Sequence, residues 1–161
     1  MSADLLTIYR QVTEAIHSTV QAIGVFDAVL AHEPKSAPAT DGLTVGMWAA
    51  DLRPIQSSGL DAASARMEIT VRIYANMLTE PQDLIDIQVL GATNAILGAL
   101  SRDYTLTTAD PTLAGIVRQI DLYGEHGDNM RTIMGYVDIG QAKYRIAEIF
   151  VPVIINDLYP Y

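Results

Sequence analysis

The sequence predicts an α+β domain in which two helices pack on one face of a mostly antiparallel sheet of about six strands. Two amphipathic segments, with apolar residues three or four positions apart, predict the helices. Runs in which apolar and polar residues alternate predict the strands. The predicted order is α-β-β-β-α-β-β-β within 161 residues, which is the length of one domain, so we expect a single domain over 1–161.

The first helix is predicted from Leu5 to Ile23, where the apolar stripe is regular. Ser2 is the predicted N-cap, because serine oxygens accept the free N–H groups of a first turn. Gly24 is the predicted end, since glycine adopts the left-handed conformation that follows many helices. A short strand from Val25 to His32 and a polar loop from Glu33 to Gly42 come next.

Two further strands are predicted on either side of a long turn. Alternation predicts a strand from Leu43 to Leu52. The segment from Arg53 to Ser64 contains a proline and a Ser-Ser-Gly run, which indicate a long turn or a projecting hairpin tip. The clearest strand is Ala65 to Asn76, in which four apolar residues alternate with polar ones. Its predicted core face consists of Met67, Ile69, Val71 and Ile73.

The second helix is predicted to begin at Thr79 as N-cap, with Gln82 in the capping-box position and Pro81 in the first turn. It is predicted to run to about Ser101. The predicted buried stripe consists of Ile85, Val89, Ala92, Ile96 and Ala99 or Leu100.

The last third of the chain is again predicted to be β. One strand is predicted from Ile116 to Leu122, and a hairpin pairs Thr132 to Ile139 with Ala142 to Ile149. Glycine at Gly140 favours a type II′ turn. Because Pro152 has no N–H for a strand ladder, the apolar run around it is predicted to lie on an edge, at a bulge or just past the sheet.

Composition excludes several classes of function. Ten Lys and Arg against nineteen Asp and Glu give a net charge of −9, and the basic residues are scattered, which argues against a nucleic-acid groove. The absence of cysteine excludes disulfides, thiolate metal sites and a cysteine nucleophile. No run approaches 18 apolar residues, and the acidic start of the chain does not resemble a signal peptide. We therefore expect the protein to be synthesised in a cytoplasm and not to associate with a membrane.

No motif predicts catalysis, so we expect neither enzymatic activity nor a catalytic, metal or cofactor site. The three histidines have no metal-ligand spacing, and the sequence contains no G-x-S-x-G elbow and no phosphate loop. The densest polar cluster, Gly124 to Asn129, lacks the alternating oxygen ligands of a calcium loop. We interpret it as a glycine-flanked connection between strands.

The mean hydropathy of +0.20 is high for a small soluble monomer, so either the core is unusually rich or partners bury part of the surface. Two alternatives are open for Trp48, which either fills a second core layer or faces a neighbouring subunit. The polar face of the strand from Ala65 to Asn76 is either solvated or forms a seam between identical subunits. The C-terminal aromatic residues are a frayed tail or dock on a partner. The candidate interface residues, which include two from projecting loops, are Trp48, Arg66, Glu68, Arg72, Tyr74, Pro54, Lys35 and Tyr159.

Several segments, in one order along the chain, resemble the tail terminator proteins of long-tailed bacteriophages, particularly those that infect actinobacteria. The most specific is V-R-I-Y-x-N-M-L-x-E-P-Q-D, from Val71 to Asp83. It lies within a longer similar stretch from Ser57 to Asp86, and the other segments are His32 to Pro38, Leu122 to Gly127 and Val151 to Asp157. None of them is a catalytic motif.

The resemblance implies a structural virion protein at the head-proximal end of the tail, assembled in the host cytoplasm. Tail terminators form a ring, usually of six subunits, that caps the tail tube and stops its polymerisation. The implied partners are further copies of the chain, the tail-tube protein and the head-tail connector or head-closure protein. DNA would pass through the lumen only as cargo, and the charge of −9 suggests an acidic lumen to which DNA does not stick.

Two alternatives remain open at this stage. One is another neck or tube component, such as a head-closure, tail-completion or tail-tube protein, and a tube protein would form long filaments alone. The other is a small ligand-binding or enzymatic α+β domain, which predicts a monomer or dimer with a bound metabolite.

Overall fold

The computed structural model describes residues 4–38, 42–57 and 59–161. The order of its helices and strands confirms the predicted α+β class. The helices are α1 (Leu5–Ile23) and α2 (Ile85–Arg102). The strands are β1 (Phe26–Leu30), β2 (Leu43–Ile55), β3 (Ala62–Asn76), β4 (Val117–Ile120), β5 (Arg131–Ile139) and β6 (Ala142–Pro160).

The six strands form one sheet in the order β1-β2-β3-β6-β4, and β5 pairs with β6 beside β4. β1 runs parallel to β2, and every other pair is antiparallel. β5 pairs with the first half of β6 and β4 with its second half, so these two strands lie end to end along the same edge.

The core lies between the two helices and one face of the sheet. The predicted core face of β3 is confirmed, since its four alternating apolar side chains are at most 2% exposed. The apolar stripe of α1 and that of α2 pack against the same cluster, also as predicted. Alternation therefore located the buried face correctly in the longest strands.

The first helix is capped by Asp4. Its carboxylate accepts the backbone N–H of Leu6 (3.2 Å) and the hydroxyl of Thr7 (2.8 Å), and these bonds lower the pKa of Asp4, the Thr7 bond most. Ser2, the predicted cap, lies outside the described residues. Gly24 ends the helix with φ +79°, as predicted.

The second helix begins later than predicted. A 3-10 turn over Gln82–Leu84 precedes α2, its N-cap position is Pro81, and no side chain caps either segment. The prediction of Thr79 as N-cap was wrong because it requires Glu80 to be helical. A following proline disfavours the helical conformation of the residue before it.

The hairpin formed by β2 and β3 is longer than predicted, and β1 is shorter. Strand pairing continues through Pro54, opposite Ala65, so β2 ends only at Ile55 and β3 begins at Ala62. β1 pairs with Leu43 to Gly46 alone, which leaves the rest of β2 as an edge. Proline is tolerated on an edge strand, which is why Pro54 did not end β2.

Pro152 lies inside the sheet, in register opposite Glu68 of β3, so the prediction that it lies on an edge, at a bulge or just past the sheet was wrong. Its carbonyl accepts the N–H of Asp121 (2.8 Å), so its nitrogen faces the same side, where β4 gives way to β5. The missing N–H therefore faces a break in the neighbouring strand. The turn before β6 is type II′ as predicted, because Gly140 has φ +62° and Gln141 is not among the residues with positive φ.

Candidate interaction surface

The sheet face that points away from the helices is crossed by residues 31–38, which we call the strap. A Cβ atom on Gly46 of β2 would lie 2.9 Å from both the His32 carbonyl oxygen and Pro34 Cδ. The Tyr144 hydroxyl of β6 donates to the Pro38 carbonyl (3.2 Å). The strap therefore covers the end of this face where β2 begins, and glycine permits its close approach.

Beneath and beside the strap lies a cluster of one guanidinium group and two aromatic rings. The Arg72 guanidinium lies 5.0 Å from the Trp48 ring centroid and 5.7 Å from that of Tyr74. It donates to Tyr74 Oη (3.1 Å) and to the Glu148 carboxylate, and it lies 3.7 Å from the Glu33 carboxylate on the strap. The cluster thus joins three strands to the strap.

The ionisation of this cluster follows from burial and from these bonds. Burial lowers the pKa of Arg72, but the bonds with Tyr74 and Glu148 outweigh it, so the pKa stands above its ordinary value. Burial raises the pKa of the Tyr74 phenol, and the Arg72 bond offsets part of that rise. Burial also raises the pKa of Tyr144, whose ring meets Tyr74 edge-on at 6.1 Å.

Arg66 is buried at the other end of the same face. Its side chain is 1% exposed and donates to Glu68 Oε2 (3.1 Å) and to the Asp128 carbonyl (2.6 Å). A Cβ on Gly127 would lie 3.0 Å from Arg66 Nε, and Gly127 has φ +142°. Glycine is therefore required there for the loop between β4 and β5 to close over the guanidinium.

That loop, residues 121–130, is organised by a buried carboxylate. Asp121 is 0% exposed. Its Oδ1 accepts the N–H groups of Gly124 (3.0 Å) and Glu125 (2.8 Å), and its Oδ2 accepts that of His126 (2.8 Å). The loop holds Tyr123 outward, 87% exposed. Sequence reasoning identified the loop but missed Asp121, and the available signal was an aspartate followed by two glycines at positions +3 and +6.

The predicted interface residues fall into three places. Trp48, Arg72 and Tyr74 form the cluster by the strap, and Lys35 lies exposed on the strap itself. Arg66 and Glu68 form the ion pair at the other end of the same face. Pro54 lies on the open stretch of β2, and Tyr159 is half-buried near the end of β6, opposite Ala63. The structure thus places the four predicted polar residues of β3 on one face, in two separate groups, and adds Trp48 of β2 to the group by the strap.

The hairpin tip and the C-terminus form a common projection. The N–H of Tyr161 donates to the Asp61 carbonyl (2.9 Å), and Leu60 at the tip is 92% exposed. At its base, Ser57 donates to Asp157 Oδ1 (2.7 Å) and bonds Ser64 Oγ at 2.6 Å. Because Ser57 has only one hydroxyl proton, Ser64 is the donor between the two serines. The network fixes the tip against β6.

Thirteen large apolar or aromatic side chains in the described part of the chain are exposed, and the nine aliphatic ones account for part of the high mean hydropathy. One group lies on the outer side of α2, where an open groove of about 440 Å³ runs between Val25, Leu43 and Ile87. The full set is Leu6, Val25, Leu52, Leu60, Leu78, Leu84, Ile87, Leu90, Tyr104, Tyr123, Ile133, Tyr136 and Tyr161.

The helical stretch Gln82–Arg102 is long and apolar enough by composition to span a membrane, with a mean hydropathy of 1.4. One side of it carries Val89, Ile96 and Leu100, which lie in the core against the sheet. The core helix of a soluble protein has the same composition, so this feature is weak support for a membrane span.

Among the residues that the structure describes, no group of three or more His, Asp or Glu side chains is placed to hold a metal ion. One of the three histidines has a structural contact at the sheet edge. His17 of α1 donates through Nε2 to the Val29 carbonyl of β1 (2.9 Å).

No protein-family model matches the chain, and no curated protein matches it. Twenty-two chains from solved structures are similar to it, two of them from a tube terminator and from a virion. The first, at 14% identity and a TM-score of 0.41, is the sheath/tube terminator of an extracellular contractile injection system, PVC, in its extended state. The likeness covers 98% of this chain, which spans 58% of the length of that one.

The second structure is a chain from the virion of a native gene transfer agent particle. It has 11% identity and a TM-score of 0.37 over 89% of this chain and 94% of the other. Both TM-scores lie below 0.5, so neither likeness determines a function.

Proposed function

We propose that the protein is a tail terminator of a long-tailed bacteriophage. In this role, copies of the chain form a ring of six on the head-proximal end of the tail tube. The ring stops further polymerisation of the tube and offers its other side to the head-tail connector or head-closure protein. The chain is then a structural component of the virion, assembled in the host cytoplasm, without enzymatic activity.

Support comes from the sequence resemblance over Val71 to Asp83 and, above all, from the distribution of exposed apolar surface. A ring made by head-to-tail association buries two different patches on every subunit. The chain exposes separate apolar groups, one on the outer side of α2 and another around Leu6 and Leu52, where an open groove of about 380 Å³ lies beside β2. This separation is the observation that carries the proposal.

Capping then works by geometry. One side of the ring matches the last tube subunits, while the other side offers no surface that a further tube subunit can use. The projection with Leu60 and Tyr161 and the loop with Tyr123 are candidates for these two sides, since each holds an exposed apolar or aromatic side chain on an ordered frame. The charge of −9 per subunit suits a lumen through which DNA slides.

The test is mass determination by light scattering together with negative-stain imaging, with and without purified tail tubes. Closed six-fold rings, or monomers that become rings on tubes and stop tube growth, are the expected result. Long filaments formed by the chain alone would identify a tube subunit instead. A monomer that ignores tubes would refute the proposal.

A charge introduced on one apolar group provides the matched comparison. Ile87→Arg on the outer side of α2 is expected to weaken ring formation, because a charge buried at an interface carries a desolvation cost. Gln21→Arg, which adds the same charge at an exposed polar position of α1, is the control. Equal ring formation by both variants would remove the α2 surface from the interface.

A further inference from the structure

The outer edge of β5 carries backbone groups without hydrogen-bond partners. In a hairpin with a two-residue turn, the flanking pair Ile139 and Ala142 is hydrogen-bonded. The backbone N–H and C=O groups of every second residue before Ile139 therefore also point toward β6. The residues that alternate with these direct their backbone N–H and C=O groups away from β6, and no group in the described ranges bonds to them. They are Thr132, Met134, Tyr136 and Asp138.

The opposite edge of the sheet has a second open stretch. β1 pairs with only the first four residues of β2, so residues 47–55 of β2 have β3 on one side and no strand on the other within the described chain. β1 itself is partly closed, since His17 occupies the carbonyl of Val29. β4, which shares its edge with β5, is also partly closed, because the N–H of Ile120 donates to the Tyr104 carbonyl. The longest open stretches are therefore β5 on one side and the later part of β2 on the other.

These two edges have the relative direction that a ring requires. Three antiparallel steps separate β2 from β5, so the two strands run in opposite directions. When a second copy is placed beside the first by rotation about an axis along the strands, its β2 lies antiparallel to β5 of the first, with the helices on the same face. Repeating this step gives a head-to-tail ring.

Side chains at the two edges are compatible. Ile133 and Tyr136 are exposed on opposite faces of β5. The open stretch of β2 lies beside the apolar groove formed with Leu6 and Leu52. Residues 131–150, the hairpin of β5 and β6, contain three basic and two acidic residues, for a net charge of +1, whereas the rest of the chain carries −10. β5 itself carries one basic and one acidic residue, Arg131 and Asp138, so the charge of this edge does not oppose a second copy.

We propose that the outer edge of β5 in one subunit pairs with residues 47–53 of β2 in the next, so that the sheets join into one continuous band around the ring. The pairing ends at Pro54, which has no N–H to donate. This inference rests on the proposed ring. It keeps the apolar group around Leu6 and Leu52 as one patch and adds the β5 edge, whose Tyr136 lines a pocket with Asp86 of α2, to the other patch. The unmatched N–H and C=O groups of β5 gain partners in the assembled state, and the exposed Tyr136 enters the groove beside Leu52. Strand tilt accommodates the offset between the two open stretches, as in closed barrels.

Proline substitution tests the contact directly. Thr132→Pro and Asp138→Pro remove outward N–H groups while leaving the bonds from β5 to β6 intact. The controls Thr132→Val and Asp138→Asn retain those groups. We expect the double proline variant to keep its thermal unfolding midpoint and associate at least about tenfold more weakly, because each interface loses two hydrogen bonds. The double control should form rings like the unmodified chain.

Two outcomes separate this inference from the proposed function. If the unmodified chain and the proline variant form rings equally well, the edge contact is wrong and the ring stands. If the unmodified chain forms no ring either alone or on tubes, both are wrong.

Because the chain has no cysteine, engineered thiols give a second measurement without background. Leu52→Cys combined with Tyr136→Cys is expected to give, on oxidation or with a short thiol cross-linker, a ladder of covalent multimers up to the closed ring. Leu60→Cys with Tyr136→Cys is the control and should give no ladder. Dimers from Tyr136→Cys alone would show two β5 edges pairing about a two-fold axis, which would overturn the inference.

Discussion

Replacing Asp121 should unfold the loop that it organises and destabilise the whole domain. The carboxylate is fully buried and accepts three backbone N–H groups at 2.8–3.0 Å. A hydrogen bond to a charged group contributes about 1.5–3 kcal/mol net. Water can solvate part of the freed N–H groups once the surface loop opens. Asp121→Ala should therefore lower the free energy of unfolding by about 3–5 kcal/mol, which is less than the sum of three such bonds.

Asp121→Asn changes the hydrogen bonds of the side chain while keeping its size. The amide of asparagine supplies one acceptor oxygen and one donor nitrogen, so at least one of the three N–H groups loses its partner. The expected cost is about 1.5–3 kcal/mol, between the unmodified chain and Asp121→Ala. Urea unfolding gives the free energies of both variants. Asp128→Asn, on an exposed carboxylate of the same loop, is the control and should change stability by less than about 0.5 kcal/mol.

Hydrogen exchange tests the local part of the reasoning. In the unmodified chain, the amides of Gly124, Glu125 and His126 should exchange slowly as a group, and in Asp121→Ala they should exchange together and fast. A free energy of unfolding for Asp121→Ala within about 0.5 kcal/mol of the unmodified value would refute the stabilising role of the carboxylate. Unchanged exchange of the three amides would refute it independently.

Three further predictions concern the strap and the cluster beneath it. Gly46→Ala should lower the free energy of unfolding by about 1–3 kcal/mol and raise protease cleavage within the strap, because the new methyl group meets a backbone oxygen; equal cleavage would contradict this. Arg72→Met should lower the free energy of unfolding in urea by about 1–3 kcal/mol and change the fluorescence of Trp48. Arg72→Lys should recover part of the stability. An unchanged Trp48 spectrum would contradict the stacking of Arg72 on Trp48. In an alkaline absorbance titration, Tyr74 and Tyr144 should ionise above the ordinary pKa of 10.0, because burial raises the pKa of both phenols. The stability that comes from burying the neutral phenols is therefore complete below pH 10.0 and is lost as the pH rises past that value. Uniform titration of all eight tyrosines would contradict this.

Patterns within one element predicted the parts of the fold that depend on that element alone. The alternation in β3 and the stripe of α1 identified the core face because burial there follows the repeat of the strand or helix. The start of α2 was misplaced because the effect of Pro81 on the preceding residue outweighed a plausible cap at Thr79. Pro152 was misplaced because its tolerance depends on a break in another strand.

The candidate surface shows the same division. The polar face of β3 was predicted as a group, and the structure places Arg66, Glu68, Arg72 and Tyr74 on one face. What covers that face was not predicted, since the contact of the strap with Gly46 joins segments without any shared pattern. Asp121 was missed because its three partners are backbone N–H groups, which every residue type except proline provides.

Pro152 also determines where the far edge of the sheet can lengthen. Because it presents no N–H toward the break, a strand closing that gap would gain no bond from Pro152's nitrogen, whatever its own sequence. Insertions between Asp121 and Met130 therefore remain outside the sheet register, and β4 and β5 keep their pairing with β6. The length of the loop is thus set by its own contacts with Asp121 and Arg66 and not by the register of the strands on either side.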